Sequence, residues 1–240
     1  MTTSGDKRTE PLALPYYEAM AEQYAAAVDG KPHNAFYDRP ACVSLLPPLA
    51  GLAVLDAGCG SGWYSEHLAG RGAAVTAVDV SPKMARLTKA RLGDRARVRE
   101  HDLSQKLDFA EDSAFDLVLC PLVMHYIDRW EPVFSEFHRV LKPGGTFVFS
   151  THHPFMDYSL FPAGGYFALS LIEDVWSTGK VRYYRRPLTA MVDALTESRF
   201  AVDRIVEPRP TEDFRRADPE GYERLMNNPW FIVFRALRNP

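Results

Sequence analysis

The sequence has no run of apolar residues as long as a membrane helix requires, which is about 18 or more. It also has little cysteine: Cys42, Cys59 and Cys120 are odd in number and widely spaced, and no C-x-x-C pair occurs. Such cysteines are typical of reduced thiols rather than of a disulfide framework or a zinc site. We therefore expect a cytoplasmic protein with no membrane span and no bound metal.

Charge of one sign is not in excess either. The 28 Lys and Arg residues face 31 Asp and Glu, which gives a net charge of −3 at pH 7. A protein that grips a nucleic-acid backbone normally has a basic surface, so a nucleic-acid partner is not expected. The apolar content of 46% and the charged content of 25% are ordinary for a globular protein. We expect one domain over residues 1–240.

Short apolar runs alternate with helix-like segments from residue 51 to residue 150. Runs that are mostly apolar are typical of parallel strands covered on both faces, so the pattern predicts a doubly wound α/β sheet. Before it, residues 15–28 read as one helix, and Asp38 is expected to cap a second that ends at Leu46. The predicted regions are a helical cover (1–50), a cofactor-binding core (51–151), an insert (152–186) and a segment that completes the sheet (187–240).

The insert breaks the alternation and is rich in aromatic residues. Two strand-like runs, residues 166–176 and 180–185, flank Ser177-Thr178-Gly179, which is typical of a tight turn. We therefore predict a β-hairpin after the fifth strand. Its aromatic side chains suit a pocket for a flat or hydrophobic ligand, and a dimer interface is the alternative, so a monomer and a homodimer both remain open.

The most informative segment is a D-x-G-x-G-x-G turn over residues 56–62, between a predicted strand and a predicted helix. Alternate glycines let the backbone bend tightly and let a ligand approach where a Cβ would clash. The dinucleotide fingerprint G-x-G-x-x-G requires glycine at position 63, where this chain has Trp63, so a nicotinamide cofactor is the weaker interpretation. The Asp56 carboxylate repels a diphosphate and favours a ligand with an amino group.

Two further carboxylates stand at the ends of the next predicted strands. Asp79 follows Gly60 by 19 residues, and a carboxylate at this place can accept hydrogen bonds from both hydroxyls of a ribose. Asp102 closes the third strand and can accept a hydrogen bond from an adenine amino group. Because ligands bind outside the carboxyl ends of strands in open α/β sheets, these residues are expected to serve one site.

Five features thus follow one another along the chain: the glycine turn, Asp79, Asp102, Phe115-Asp116-Leu117-Val118, and Leu141-Lys142-Pro143-Gly144-Gly145. In their order and spacing the chain resembles the class I S-adenosylmethionine-dependent methyltransferases, especially the small-molecule branch similar to ubiquinone-biosynthesis enzymes. The resemblance implies a Rossmann-like, seven-stranded sheet in the order 3-2-1-4-5-7-6 with an antiparallel last strand. It also implies S-adenosylmethionine as cofactor and S-adenosylhomocysteine as product.

The resemblance further implies contacts to the methionine portion of the cofactor. Gly58, Gly60 and Gly62 would hold that portion, with Asp56 near its amino group. Cys120, at the end of the fourth strand, would lie beside it through its backbone carbonyl.

Contacts to the nucleoside portion are implied in the same way. Asp79 would hold the ribose, Met84 would pack nearby, and Asp102 with the Leu103 backbone would frame the adenine. The other predicted cofactor contacts are Tyr24, Tyr37, Arg39, Cys59, Val80 and His125.

Methyl transfer from a sulfonium mainly requires alignment of the acceptor and exclusion of water, and a general base is needed for a hydroxyl or a protonated amine. His125, His152 and His153 are candidate bases because each follows the carboxyl end of a predicted strand. A cap or loop contact is the structural alternative. The predicted acceptor contacts, for which packing is the alternative, are Tyr16, Tyr17, Phe155, Tyr158, Tyr166 and Tyr183.

The expected reaction is methylation of an O or N atom of a small-molecule acceptor. Nucleic-acid amino methyltransferases usually carry an Asn/Asp-Pro-Pro-aromatic run after strand four, where this chain reads Cys120-Pro121-Leu122-Val123, so that class is not favoured. Two alternatives remain open: a catalytically silent S-adenosylmethionine-binding protein and a nicotinamide-dependent oxidoreductase.

Overall fold

Nine strands are found in the computed structural model, which describes residues 10–176 and 179–239. The predicted turn residues Ser177 and Thr178 lie outside the described residues. The strands are β1 (Ala53–Ala57), β2 (Ala74–Asp79), β3 (Ala96–Glu100), β4 (Phe115–Pro121), β5 (Leu141–His152), β6 (Ser170–Trp176), β7 (Gly179–Arg185), β8 (Phe200–Val206) and β9 (Phe231–Arg238).

Seven of these strands form one sheet in the order β3-β2-β1-β4-β5-β9-β8. Strands β1 to β5 pair in parallel, whereas β9 is antiparallel to both β5 and β8. Counted within the sheet alone, this is the order 3-2-1-4-5-7-6 with an antiparallel last strand, so the predicted Rossmann-like fold is confirmed. The hairpin β6–β7 forms a separate antiparallel pair, as predicted.

Helices cover both faces of the sheet. Their bounds are α1 (Leu14–Val28), α2 (Arg39–Ser44), α3 (Trp63–Ala69), α4 (Pro82–Leu92), α5 (Trp130–Val140), α6 (Pro154–Leu160), α7 (Leu188–Glu197), α8 (Glu212–Ala217) and α9 (Pro219–Asn227). Of the described helices, none is both long and apolar enough to cross a membrane.

Alternating side chains of the central strands feed two separate cores. Phe147 and Phe149 of β5 pack under α5 and α7, with ring centroids 4.8 Å apart. Val148, which lies between them, joins the opposite core with Leu68 of α3 and Leu92 of α4. Both faces of the central strands β1, β4 and β5 are therefore buried, which explains why these strands are mostly apolar, whereas the edge strand β3 is largely exposed.

The structure corrects the expected helix cap at Asp38. A π-helical turn (Asn34–Asp38) runs directly into α2, so the backbone at Asp38 is already helical and leaves no helix start to cap. The Asp38 carboxylate instead accepts a hydrogen bond from the Tyr64 hydroxyl at 2.9 Å. The insert also contains α6, which the sequence reading did not predict.

Candidate active site

A cavity of about 930 Å³ opens at the carboxyl ends of β1 to β5. Helix α1 and the β6–β7 hairpin cover it, because Tyr16 and Tyr17 of α1 pack in one cluster with Val181 and Tyr183 of the hairpin. This is where ligands bind in open α/β sheets, beyond the strand ends. The cavity has two chemically different sides.

The first side, here called the strand-end wall, follows the loops after β1, β2 and β3. Its members all line the cavity: Gly58, Cys59, Gly60, Ser61, Asp79, Val80, Asp102 and Leu103.

The glycines of the turn serve different purposes. All three have a positive φ, +82° at Gly58, +54° at Gly60 and +88° at Gly62. A Cβ at Gly58 would lie 2.2 Å from Val123 Cγ2, and one at Gly62 would lie 2.9 Å from Thr88 Oγ1, so both are required for packing. A Cβ at Gly60 would have no neighbour closer than Tyr24 Cε1 at 3.9 Å, which leaves open space for a ligand beside its backbone.

Asp79 joins the glycine turn to the end of β2. Its Oδ2 accepts a hydrogen bond from the Gly60 N–H at 2.8 Å, and its Oδ1 accepts one from the Ser81 N–H at 2.9 Å. Burial raises the pKa of Asp79 to about 6, despite these two hydrogen bonds. Because each carboxylate oxygen can accept a second hydrogen bond, Asp79 can still receive hydroxyl donors from the cavity.

Asp56 lies beneath the turn instead of lining the cavity. It is fully buried, and its Oδ2 accepts a hydrogen bond from the Ser65 hydroxyl at 2.5 Å. Its Oδ1 has no hydrogen-bond partner, and burial raises the pKa of this carboxyl to about 7. The structure thus separates Asp56 from Asp79, which the sequence grouped in one ligand site.

Four other predicted cofactor contacts are also absent from the cavity lining, and one of them is Gly62 of the turn. Met84 and Cys120 are fully buried in the protein interior. The Tyr37 hydroxyl accepts a hydrogen bond from the Trp230 N–H at 3.0 Å, and its ring packs against Phe231. Side chains that point into the core, as that of Met84 does, cannot also face a ligand, and a single sequence does not reveal which way they point.

Tyr24 and Arg39 do line the cavity, near the glycine turn. The Arg39 guanidinium donates hydrogen bonds to the carbonyls of Val28 and Asp29 and stacks over the Trp63 ring, 4.2 Å from its centroid. Trp63, which stands where a dinucleotide motif has its third glycine, also lines the cavity.

The second side, here called the aromatic wall, gathers residues from α1, the loop after β4, the end of β5 and the hairpin. Its members are Tyr16, Tyr17, His125, Tyr126, His152, Trp176 and Tyr183.

Two imidazoles stack face to face on this wall. The rings of His125 and His152 lie 4.1 Å apart between centroids, with 16° between their planes. Both are buried, with 2% and 6% of their surfaces exposed. Burial, followed by the effects of His152 and Arg186, holds the pKa of His125 well below its usual range, so His125 is neutral at physiological pH.

Asp157 of α6 stands behind His152. Its Oδ1 lies 3.3 Å from His152 Nδ1, and the carboxylate is 1% exposed. The two atoms are within ion-pairing distance, although their orientation falls short of a directed hydrogen bond. Because the Nδ1 edge faces Asp157, Nε2 is the nitrogen of His152 that is available to a ligand.

A chain of tyrosines extends the wall toward α1. The hydroxyls of Tyr17 and Tyr126 lie 3.1 Å apart, and the Tyr17 ring meets the Tyr24 ring edge-on at 5.5 Å. Burial raises the pKa of Tyr17 and of Tyr126, so both phenols stay protonated. Tyr16 meets Trp176 edge-on at 6.0 Å, which joins the helix to the hairpin.

His153 is not brought to the cavity. Its Nδ1 accepts the Phe155 N–H as the N-cap of α6, and its Nε2 pairs with Glu207 at 2.9 Å. The predicted acceptor contacts Phe155, Tyr158 and Tyr166 are likewise absent from the lining. Phe155 is exposed on α6, and the rings of Tyr158 and Tyr166 pack edge-on against each other at 5.8 Å.

Some residues in or beside the aromatic wall were not predicted from the sequence. Tyr126 follows no motif, and the sequence does not predict Asp157 as the partner of His152. The spacing His152-x-x-x-x-Asp157 becomes informative only once α6 brings the carboxylate back toward the end of β5.

Comparison with known proteins agrees with this geometry. The sequence model of a methyltransferase domain matches residues 55–149. The ubiquinone biosynthesis O-methyltransferase of Thiobacillus denitrificans is 33% identical over 128 residues, which are 52% of this chain and 55% of that protein. The chain therefore spans about half the length of this curated relative.

Solved structures share the fold over most of the chain. A chain from Listeria monocytogenes aligns with a TM-score of 0.76 at 23% identity, over 85% of this chain and 97% of that one. An S-adenosylmethionine-dependent methyltransferase from Mesorhizobium loti aligns with a TM-score of 0.71 at 26% identity, over 88% of this chain and 100% of that one.

Proposed function

Because the chain belongs to the class I S-adenosylmethionine-dependent methyltransferases, we propose that it methylates an O or N atom of a small, flat acceptor. The observation that carries the proposal is the His152–Asp157 pair, set in a wall of aromatic rings beside the glycine turn. The relative from Thiobacillus is by name an O-methyltransferase, which favours oxygen.

The strand-end wall fits the cofactor. The open space beside Gly60 accepts a backbone-hugging ligand, and the remaining acceptor positions of Asp79 suit a pair of hydroxyls. In our proposal, Gly60 and Cys59 lie along the methionine portion, Asp79 holds the ribose, and Asp102 with Leu103 frames the adenine. When bound, the cofactor supplies a methyl carbon already activated by a positively charged sulfur.

The aromatic wall orients the acceptor. Tyr126, Trp176 and Tyr183 present flat apolar surfaces, which suit an aromatic or similarly flat molecule. His152 Nε2 accepts the proton that a hydroxyl must lose, and Asp157 stabilises the resulting imidazolium at Nδ1. Neutral His125, stacked on His152, adds no positive charge that would oppose this protonation.

Titration calorimetry with S-adenosylhomocysteine and with NAD tests the cofactor half of the proposal. We expect S-adenosylhomocysteine to bind and NAD not to bind. Binding of NAD alone would contradict the proposal.

Incubation with methyl-labelled S-adenosylmethionine and a small-molecule extract tests the acceptor half. We expect label in a low-molecular-weight product, whose attachment to oxygen, nitrogen, carbon or sulfur is then read by mass spectrometry and NMR. Cofactor binding without label transfer to any metabolite pool would instead indicate a catalytically silent binding protein.

A further inference from the structure

The short segment that follows α1 and enters the π-helical turn places three polar side chains on the cavity wall. Lys31, His33 and Asn34 all line the cavity and are partly buried. None of them belongs to the strand-end wall or to the aromatic wall. Their chemistry is that of donors: an ammonium, an imidazole and a carboxamide.

Lys31 has no counter-ion. Within residues 10–176 and 179–239, no carboxylate lies within ion-pairing distance of its ammonium group, and burial lowers its pKa. The acids closest to it in sequence are engaged elsewhere: Asp29 pairs with Arg91 at 2.8 Å, and Asp38 accepts from Tyr64 at 2.9 Å. A partly buried ammonium without an acid partner is costly, which makes this position favourable for an anionic ligand.

His33 adds a neutral ring to this region and responds to the positive charges around it. Burial, followed by the charges of Lys31 and Arg224, lowers the pKa of His33 to about 4, so the ring is neutral. Its Nε2 is buried and has no hydrogen-bond partner. Arg224 stacks over Trp230 at 5.1 Å, and the His33 ring lies 5.1 Å from the same indole.

The segment is connected to the acceptor side through two aromatic residues. Trp230, against which His33 packs, precedes Phe231, and the Phe231 ring stacks toward the His152 ring at 6.0 Å with 20° between their planes. Trp230 and Phe231 both line the cavity. An acceptor placed against His152 can therefore extend along Phe231 and Trp230 toward Lys31.

We propose that Lys31, His33 and Asn34 form an anion subsite that binds a carboxylate carried by the methyl acceptor. This inference rests on the proposed function, since it assumes that the acceptor occupies the aromatic wall. A carboxylate there would meet the Lys31 ammonium and the Asn34 amide, and the neutral His33 would donate through one ring nitrogen. The Lys31 ammonium, which has no ion pair within residues 10–176 and 179–239, matches one carboxylate.

The test measures binding to the protein saturated with S-adenosylhomocysteine. The probes are benzoate, phenylacetate and 3-phenylpropanoate, each compared with its primary amide, which has nearly the same shape and no charge. We expect the best carboxylate to bind about tenfold or more tightly than its amide, as a charge-assisted contact provides. Lys31→Met should abolish this preference, and Lys31→Arg should retain it.

Matched controls separate the subsite from other effects. Lys89→Met removes a lysine from the outer side of α4 and should leave the preference unchanged. S-adenosylhomocysteine affinity should stay within about twofold in Lys31→Met, because the variant leaves the strand-end wall intact.

Three outcomes would overturn the inference. One is the absence of any carboxylate preference in the wild type, including the case in which no probe binds. Another is a preference that survives in Lys31→Met. The third is a parallel loss of S-adenosylhomocysteine affinity in Lys31→Met, which would assign Lys31 to the carboxylate of the cofactor. If the wild type fails to bind S-adenosylhomocysteine, the proposed function fails, and the same probe comparison without it still reports on the subsite.

Discussion

The two walls of the cavity are built on different principles. The strand-end wall uses backbone groups and short side chains at the ends of neighbouring strands, and Asp79 is held by the N–H groups of Gly60 and Ser81. The aromatic wall instead assembles large side chains from α1, the loop after β4, β5 and the hairpin. A wall made of backbone depends on the sheet, whereas a wall made of side chains can change with the insert. If the walls have the roles proposed above, acceptor specificity can vary while the cofactor site is retained.

The largest expected effect is on turnover and comes from replacing His152 of the aromatic wall. His152→Gln should lower kcat about 10²- to 10⁴-fold, because the proton acceptor is lost. S-adenosylhomocysteine affinity, measured by calorimetry, should change by less than about twofold, since the strand-end wall is untouched. His138→Gln, on the outer helix α5 beside Phe200, is the matched control. A wild-type kcat in His152→Gln would return His152 to a structural role.

The next effect distinguishes two glycines of the same turn. Gly58→Ala should lower the free energy of unfolding by about 2–4 kcal/mol, because it adds a Cβ that overlaps Val123 at a positive φ. Gly60→Ala should cost only about 1–2 kcal/mol, since its Cβ enters open space. In calorimetric titration, Gly60→Ala should weaken S-adenosylhomocysteine binding. Equal losses of stability in a denaturant series would contradict this division of roles.

Asp79 tests the strand-end wall directly. Asp79→Ala should weaken S-adenosylhomocysteine binding by about 1–3 kcal/mol through lost charge-assisted hydrogen bonds. Asp94→Ala, at a fully exposed position after α4, should leave the affinity unchanged. Unchanged affinity in Asp79→Ala would remove the ribose assignment.

The same carboxylate predicts a pH dependence. Because burial raises the pKa of Asp79 to about 6, the carboxylate of the unliganded protein becomes protonated as the pH falls through that value. A protonated carboxyl offers fewer acceptor positions, so the dissociation constant of S-adenosylhomocysteine should rise below pH 6 and stay level above it. Calorimetry from about pH 5 to about pH 8 spans the Asp79 pKa of about 6. The dissociation constant should change slope near this value in the wild type and should not depend on pH in Asp79→Ala.

The smallest effect separates two neighbouring histidines. His153→Gln removes the N-cap of α6 and the contact with Glu207. It should lower the free energy of unfolding by about 0.5–2 kcal/mol while kcat stays near the wild-type value. A loss of turnover as large as that of His152→Gln would show that α6 itself positions the acceptor.

The doubly wound sheet and the glycine turn were predictable because their signals are local, whereas the order of the strands was implied by the family resemblance. A parallel strand covered on both faces is apolar throughout, and a turn with positive φ requires glycine, so both leave a trace in a short stretch of sequence. Lys31 and Asp157 carry no such trace. The charge of Lys31 lacks a partner because Asp29 pairs with Arg91, which is distant in the sequence. Asp157 has a role only because α6 brings it to His152.

The direction of individual side chains was also beyond the sequence. Asp56 is the penultimate residue of β1 and Asp79 is the last residue of β2, yet Asp56 lies under the turn with Ser65 and Asp79 faces the cavity. His152 and His153 are adjacent, yet only the first lines the cavity, because alternate residues of a strand point to opposite sides and α6 begins after the second.

The sequence by itself therefore determined the doubly wound sheet and the glycine turn at its edge, because these follow from periodicity and from backbone conformations that only glycine tolerates, and its motifs carried the family resemblance. Only the tertiary structure decided which carboxylates and imidazoles meet in the cavity. These contacts join residues far apart in the sequence, such as His33 and Trp230, and the packing that creates them is a property of the whole fold rather than of any segment.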